Sequence, residues 1–142
     1  MSIVITLPFP PAELSPNSRC GWRAKAAAVQ AYRYECKVLC RQETNGMTMP
    51  QYTTATITFV LKDKRRHDWD NLLASFKAGI DGIVDAGLLP DDDVRSWSCS
   101  LRYEQGPKAL VRVELWGQWW TLEPISDADG GATAPARVEL SS

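Results

Sequence analysis

Hydrophobic positions along the chain fall into two periods, and the switches between them predict most of its elements. Residues 2–9, SIVITLPF, alternate and are rich in β-branched side chains, which predicts a first strand. Pro8, Pro10, Pro11 and Pro16 end that strand and hold an extended loop as far as Asn17. From about Arg23 to Gln42 the pattern is helical, with good helix formers and apolar residues at Val29, Tyr32, Cys36 and Leu39. Residues Thr44 to Pro50 break it, with Gly46 and Pro50 as punctuation. Alternation returns in YTTATITFVLK, a second strand with Tyr52, Ala55, Ile57, Phe59 and Leu61 as core positions.

A second helix is predicted from about Asn71 to Ala86, carrying Leu72, Leu73, Phe76, Ile80, Ile83 and Val84 on one side. Gly87 is placed to end it in left-handed geometry. Ser75, Gly79, Gly82 and Ala86 form a stripe of small residues. Each mid-helix glycine costs about 1 kcal/mol relative to alanine, so the stripe implies close backbone approach. The sheet is the expected neighbour, and a dimer axis is the alternative. VRSWSCSLRYEQ and KALVRVELWG then read as a hairpin around Gln105-Gly106-Pro107, with Val111, Val113 and Leu115 alternating with Arg112 and Glu114. The expected architecture is one α+β domain over residues 1–117, a mixed β-sheet with two main helices in the order β-α-β-α-β-β. Residues 118–142 turn to Ser, Asp, Gly, Ala and Pro, which predicts a loosely ordered tail. Trp116, Trp119 and Trp120 before it are expected to pack a strand end, with stacking on bases as the alternative.

Composition narrows the setting. A chain of 142 residues, 44% hydrophobic and 23% charged, suits one globular domain. No apolar run approaches the roughly 20 residues that span a bilayer, and the N-terminus has no signal-peptide pattern, so a cytoplasmic protein without a membrane partner is expected. Cys20, Cys36, Cys40 and Cys99 form no CxxC pair, and the single histidine, His67, is distant from them, so free thiols in a reducing cytosol are expected. Cys36 and Cys40 fall one helical turn apart, as on a packed face. A net charge of -1 does not by itself suggest a polyanionic partner. The distribution does: Arg19, Arg23, Lys25 and Arg33 lie early, and Lys62, Lys64, Arg65 and Arg66 cluster mid-chain. A solvated face is the plainer account of such a run.

The candidate chemistry lies in residues 62–93, KDKRRHDWDNLLASFKAGIDGIVDAGLLPDDD. The basic run leads directly into Asp68 and Asp70. In extended backbone, residues two apart point the same way; in a helix they diverge by about 200°. Placement before the helix therefore lets both carboxylates converge. A capping role for Asp70 or Asn71 accounts for one aspartate and not for two. With Asp91, Asp92 and Asp93 after the helix, the window offers oxygen ligands for a hard divalent cation beside cations suited to a phosphate backbone. Lys77 lies near the helical face of Asp70, or simply pairs with Asp81 one turn on. Together these features indicate a Mg2+-dependent DNA nuclease.

Three blocks resemble the RusA family of Holliday junction resolvases, small phage- and prophage-borne endonucleases. They are LPFPP with Asn17, QAYR at 30–33, and RRHDWDNL followed by KAGIDGIVDAGLLPDD, covering roughly residues 3 to 116. The resemblance implies a RusA-like fold and a homodimer that nicks four-way junctions symmetrically in DNA recombination and repair, inside a bacterial host cell. It implies Mg2+, with Mn2+ as a substitute, bound by Asp68, Asp70 and Asp92 with Asp91 nearby, and Lys77 assisting. One departure stands out: the family lysine follows the second aspartate by four residues, where this chain has Ala74, and Lys77 lies seven after. The expected DNA contacts are Lys64, Arg65, Arg66, Asn17, Arg19 and Arg33. Two rivals remain, a catalytically idle junction-binding protein and a metal phosphohydrolase of small phosphates, for which the basic run is surplus.

Overall fold

Four strands and three helices make up the computed structural model, which describes residues 2–46, 52–91, 93 and 95–117. In chain order they are β1 (Ser2–Pro8), a 3-10 turn (Ala12–Leu14), α1 (Trp22–Glu43), β2 (Thr54–Leu61), α2 (Trp69–Ser75), α3 (Lys77–Asp85), β3 (Ser98–Gln105) and β4 (Leu110–Trp116). The result is a single small α+β domain with a mixed sheet in the order β1-β4-β2-β3. Among the described residues no helix is long and apolar enough to cross a membrane. Trp119, Trp120 and the predicted tail 118–142 lie outside the described residues.

β2 occupies an interior position because its sequence, TATITFVL, offers an apolar or β-branched residue at every place. Ala55, Ile57, Phe59 and Leu61 are buried with Ile5, Leu7, Val111, Val113 and Leu115 in the core under the helices. Thr56, Thr58 and Val60 are buried on the other face. There Arg112, beside Thr58, and Glu104, beside Val60, form an ion pair that passes over the strand.

The predicted hairpin of β3 and β4 does not form. β3 runs parallel to β2, from Thr54↔Ser98 to Leu61↔Gln105, while β4 lies antiparallel on the other side of β2. An apolar strand that must be covered on both edges takes two neighbours, and SCSLRYEQ, exposed except at half-buried Leu101, suits the outer edge. Gly106 carries the crossing from β3 to β4. Its N–H donates to Leu61 O at 3.0 Å, and a Cβ there would stand 2.8 Å from Val60 Cγ1.

The second predicted helix is two. It starts at Trp69 and breaks at Phe76 (φ -93°, ψ 2°) before α3 begins. The Phe76 ring stands edge-on between Phe59 of the sheet (6.0 Å) and Tyr32 of α1 (6.4 Å). The small stripe also finds a different neighbour from the sheet or a second copy. A Cβ on Gly82 would lie 2.6 Å from the Arg33 carbonyl oxygen and 2.8 Å from Cys36 Cβ, so α3 crosses α1 there. Gly79 faces the Phe76 ring, with 2.3 Å to Cε1 from a Cβ built there.

Two predictions follow from this packing. Gly82→Ala gains about 1 kcal/mol of helix propensity but overpacks a backbone contact, a cost of about 1–3 kcal/mol, so its urea midpoint falls below that of the wild type. A midpoint at or above the wild type would remove the close crossing. Burial pushes the Cys36 and Cys40 thiols up to about 12 each, whereas Cys20 is half-buried and Cys99 exposed. At pH 8 a thiol reagent should label Cys20 and Cys99 in the native protein, and Cys36 and Cys40 only after denaturation. Rapid labelling of all four in native buffer contradicts the packed α1 face.

Candidate functional site

β1 and β2 both run antiparallel to β4, so Pro8 and Leu61 finish at the same end of the sheet. Two loops leave from that end, residues 9–21 and 62–68. Between them lies a cleft of about 660 Å³. Phe9, Pro10, Ser15 and Asn17 line it from one loop, and Arg65, Arg66, His67 and Asp68 from the other, with Asn71 and Ser75 from α2.

Asp63 organises the basic loop. Its Oδ1 accepts the Arg65 backbone N–H at 3.1 Å and lies 2.9 Å from His67 Nε2, while its Oδ2 accepts Arg65 Nε at 3.2 Å. The His67 hydrogen bond and then the Arg65 contacts hold the Asp63 carboxyl below the usual carboxylate range. Sequence reasoning passed over Asp63 because it sits inside a run of cations. The signals were present: an aspartate two residues before a turn N–H, and a histidine at i+4. Arg65 and Arg66 keep 79% and 93% of their side chains exposed, and Arg66 Nε stands 3.7 Å from Asp68 Oδ1.

Asp68 is the extended residue before α2 (φ -92°, ψ 142°), and its side chain makes no capping hydrogen bond. It stays 55% exposed. Asp70 lies within the first turn, where its Oδ1 accepts the Asn71 N–H at 3.0 Å. Because α2 begins two residues before the expected Asn71, only Asp68 has the extended geometry predicted for both. Asp68 holds the N-cap position of α2 and Asp70 lies in its first turn, where the helix dipole favours negative charge.

The other candidates are dispersed. Asn17 lines the cleft, and Lys64 and Arg19 are exposed on the two loops. Arg33 turns to α3: its Nε and Nη2 meet Asp85 at 2.6 and 2.9 Å, and Nη1 is 3.9 Å from Asp81. Lys77 Nζ lies 2.7 Å from Asp81 Oδ1, in a neighbouring pocket of about 260 Å³ shared with Lys25, Pro16 and Ala74. Asp91 is not brought to Asp68 and Asp70. Its Oδ1 accepts the Asp93 N–H at 2.8 Å, and its carbonyl accepts the Trp97 indole N–H at 2.6 Å. The chain reaches it past Leu88, whose carbonyl accepts the Tyr52 N–H at 2.9 Å, at the end of β2 opposite Leu61. A strand of this length measures about 25 Å. Asp92 lies outside the described residues. Among those described, no group of three or more His, Cys, Asp or Glu side chains is placed to hold a metal ion.

The Arg33–Asp85 pair has a pH signature. Its hydrogen bond, and then the Arg33 and Lys37 charges, hold the Asp85 carboxyl below the ordinary carboxylate range in the folded protein. A group lowered on folding stabilises above its unfolded value, about 3.9, and loses that stabilisation as pH falls through its folded value. The stability gap between wild type and Asp85→Asn, under about 1 kcal/mol for a partly exposed pair, should be constant above about pH 5 and shrink below about pH 4. Urea titrations from pH 6 to 2.5 measure it; a gap that persists at the acid end refutes the pairing.

No protein-family model matches the chain. It is similar to an uncharacterized protein of Xylella fastidiosa (strain Temecula1), 36% identical over 85 residues, which cover 58% of this chain and 56% of that protein. The chain thus spans little more than half the length of that relative.

Proposed function

We propose that the protein is a Mg2+-dependent, structure-specific endodeoxyribonuclease of the RusA type, a homodimer that resolves four-way DNA junctions by paired symmetric nicks. One observation carries this proposal. Asp68 stands exposed in the wall of a cleft that it shares with Arg65, Arg66 and Asn17, its carboxylate is not spent on capping α2, and Asp70 is exposed two residues on in the first turn. Mg2+ is commonly held by one or two carboxylates, with water and substrate phosphate completing its octahedron. The exposed Asp68 carboxylate suits that donor set, with Asp70 as the second candidate. Held by Asp68 and Asp70, the ion would supply Lewis-acid polarisation of a phosphate oxygen and a more acidic water. The chain's own residues do the rest. Arg65 and Arg66 neutralise phosphates on either side of the cut, and Asp63 holds the loop that presents them. Asn17 offers an amide to the strand from the opposite wall. Paired nicks need two such sites facing one junction, which a twofold homodimer provides.

The engagement of Lys77 with Asp81, away from the cleft, favours a second possibility: a protein that binds junctions without cutting them. One experiment separates the two. A labelled synthetic four-way junction and a linear duplex are incubated with the protein in Mg2+ or Mn2+. Symmetric nicks in the junction alone, lost at least about 100-fold in Asp68→Asn and Asp70→Asn with binding retained, are the expected result for a group acting on the reacting phosphate. Binding without cleavage by the wild type supports the idle protein. Absence of binding at low salt, where phosphate contacts are strongest, excludes both.

A further inference from the structure

The segment between the cleft and the neighbouring pocket is unusual in a way the carboxylates do not explain. Trp22, the first residue of α1, is 75% exposed, although a tryptophan ordinarily buries about 150–250 Å². The Arg23 guanidinium lies over its ring, 5.2 Å from the centroid. The first turn of α1 contains no acid, so Arg23 and Lys25 sit at the positive end of the helix dipole, against the usual preference. Among the described residues no carboxylate pairs with Arg19, Arg23 or Lys25. By contrast Arg33, Arg65, Arg66 and Lys77 each have an aspartate within 4 Å. The segment also continues directly from Asn17 in the cleft wall to Lys25 in the next pocket.

An exposed indole thus has a guanidinium over it, and two more cations lie within three residues along the chain, engaged by no ion pair among the described residues. That combination matches one ligand chemistry, a nucleotide whose base is out of its stack. Its base lies on the indole, and its flanking phosphates meet the guanidinium and ammonium groups. We propose that Arg19, Trp22, Arg23 and Lys25 form a stacking clamp for an unpaired nucleotide next to the cut strand. This rests on the nuclease reading above and adds to it a residue that selects branched DNA, where bases at the crossing can leave the stack, over continuous duplex.

The test uses a four-way junction with 2-aminopurine at the branch point, bound by the full-length protein in EDTA so that no strand is cut. Wild type should quench the base by stacking, and Trp22→Phe should retain the quench. Trp22→Ala should lose it and bind the junction roughly 5- to 140-fold more weakly, the worth of one stacked base. Arg23→Ala should lower the salt dependence of binding by about one phosphate contact, while Lys108→Ala, in the β3–β4 connection, leaves it unchanged. If Trp22→Ala quenches and binds as wild type does, the clamp is overturned while junction recognition through Arg65 and Arg66 stands. If Trp22→Ala instead dissociates the protein in sedimentation without DNA, the indole is a contact between copies and the clamp is again overturned. If the wild type binds no junction, the nuclease reading itself has failed.

Discussion

The Phe76 ring, wedged between Phe59 of the sheet and Tyr32 of α1, fixes where α2 ends and α3 begins, and so where Asp70 and Lys77 stand. Full burial of a phenylalanine contributes about 1.5–3 kcal/mol, more than the about 0.5–1.5 kcal/mol of a single backbone hydrogen bond. The helix therefore breaks so that the ring can enter. Little hydrogen bonding is lost, because the Phe76 N–H still reaches Leu72 and Leu73 O, and its carbonyl still accepts from Gly79 and Ile80. Gly79 makes room for the ring, since any side chain there would meet it. Tyr32 in turn donates its hydroxyl to Pro8 O, so the same cluster anchors the start of the proline loop. One aromatic contact thus holds both walls of the cleft in relation to each other.

The break also separates Lys77 from the aspartates. In an unbroken helix, positions 70 and 77 lie nearly two turns apart on one face. With a new helix beginning at Lys77, its ammonium meets Asp81 in the smaller cavity, which Pro16 and Ala74 also line. The strand topology has a parallel effect on the acidic loop. Because β2 needs a neighbour on each edge, the chain must return to the start of β2 before entering parallel β3. That return places Asp91 and Asp93 at the far end of the strand from Asp68. Of the acidic loop, Asp91 and Asp93 therefore stand apart from Asp68 within one chain.

Local patterns were legible and pairwise choices were not. β1, α1 and β2 were readable nearly to the residue because their periods are properties of short windows. The core positions of β2 and β4 followed from alternation for the same reason. The β3–β4 hairpin failed since adjacency in a sheet depends on which strand has two faces to cover, a property of the whole chain. The glycine stripe announced a close approach without naming its partner, which proved to be the backbone of α1 at Arg33. In the site, Arg65, Arg66 and Asp68 were marked by residue type and order, whereas Asn17, which shares their cleft, was suggested only by the family resemblance. Asp63 carried a local signal, a turn N–H two residues on and a histidine at i+4, but its charge was hidden among its partners. Nor could apolar spacing reveal that one phenylalanine would interrupt its own helix.

A chain with net charge -1 can attract a polyanion only through local imbalance, and here the imbalance depends on pairing more than on composition. Arg33 is answered by Asp85, Lys77 by Asp81, Arg65 by Asp63 and Arg95 by Asp93, so these cations contribute dipoles more than net charge at a distance. Partial exposure lets some of them exchange a carboxylate for a phosphate, at the cost of breaking a pair worth under about 1 kcal/mol. The first turn of α1 has no such pair to break. Long-range attraction of a polyanion should therefore centre on cations that no ion pair among the described residues engages, Arg19, Arg23 and Lys25 on one side and Lys62 and Lys64 on the other. Arg65 and Arg66 would act after contact, when Asp63 and Asp68 could share them. On the proposed nuclease reading, recognition of the DNA would then fall to two different loops at one end of the sheet, and presentation of Asp68 to the second of them.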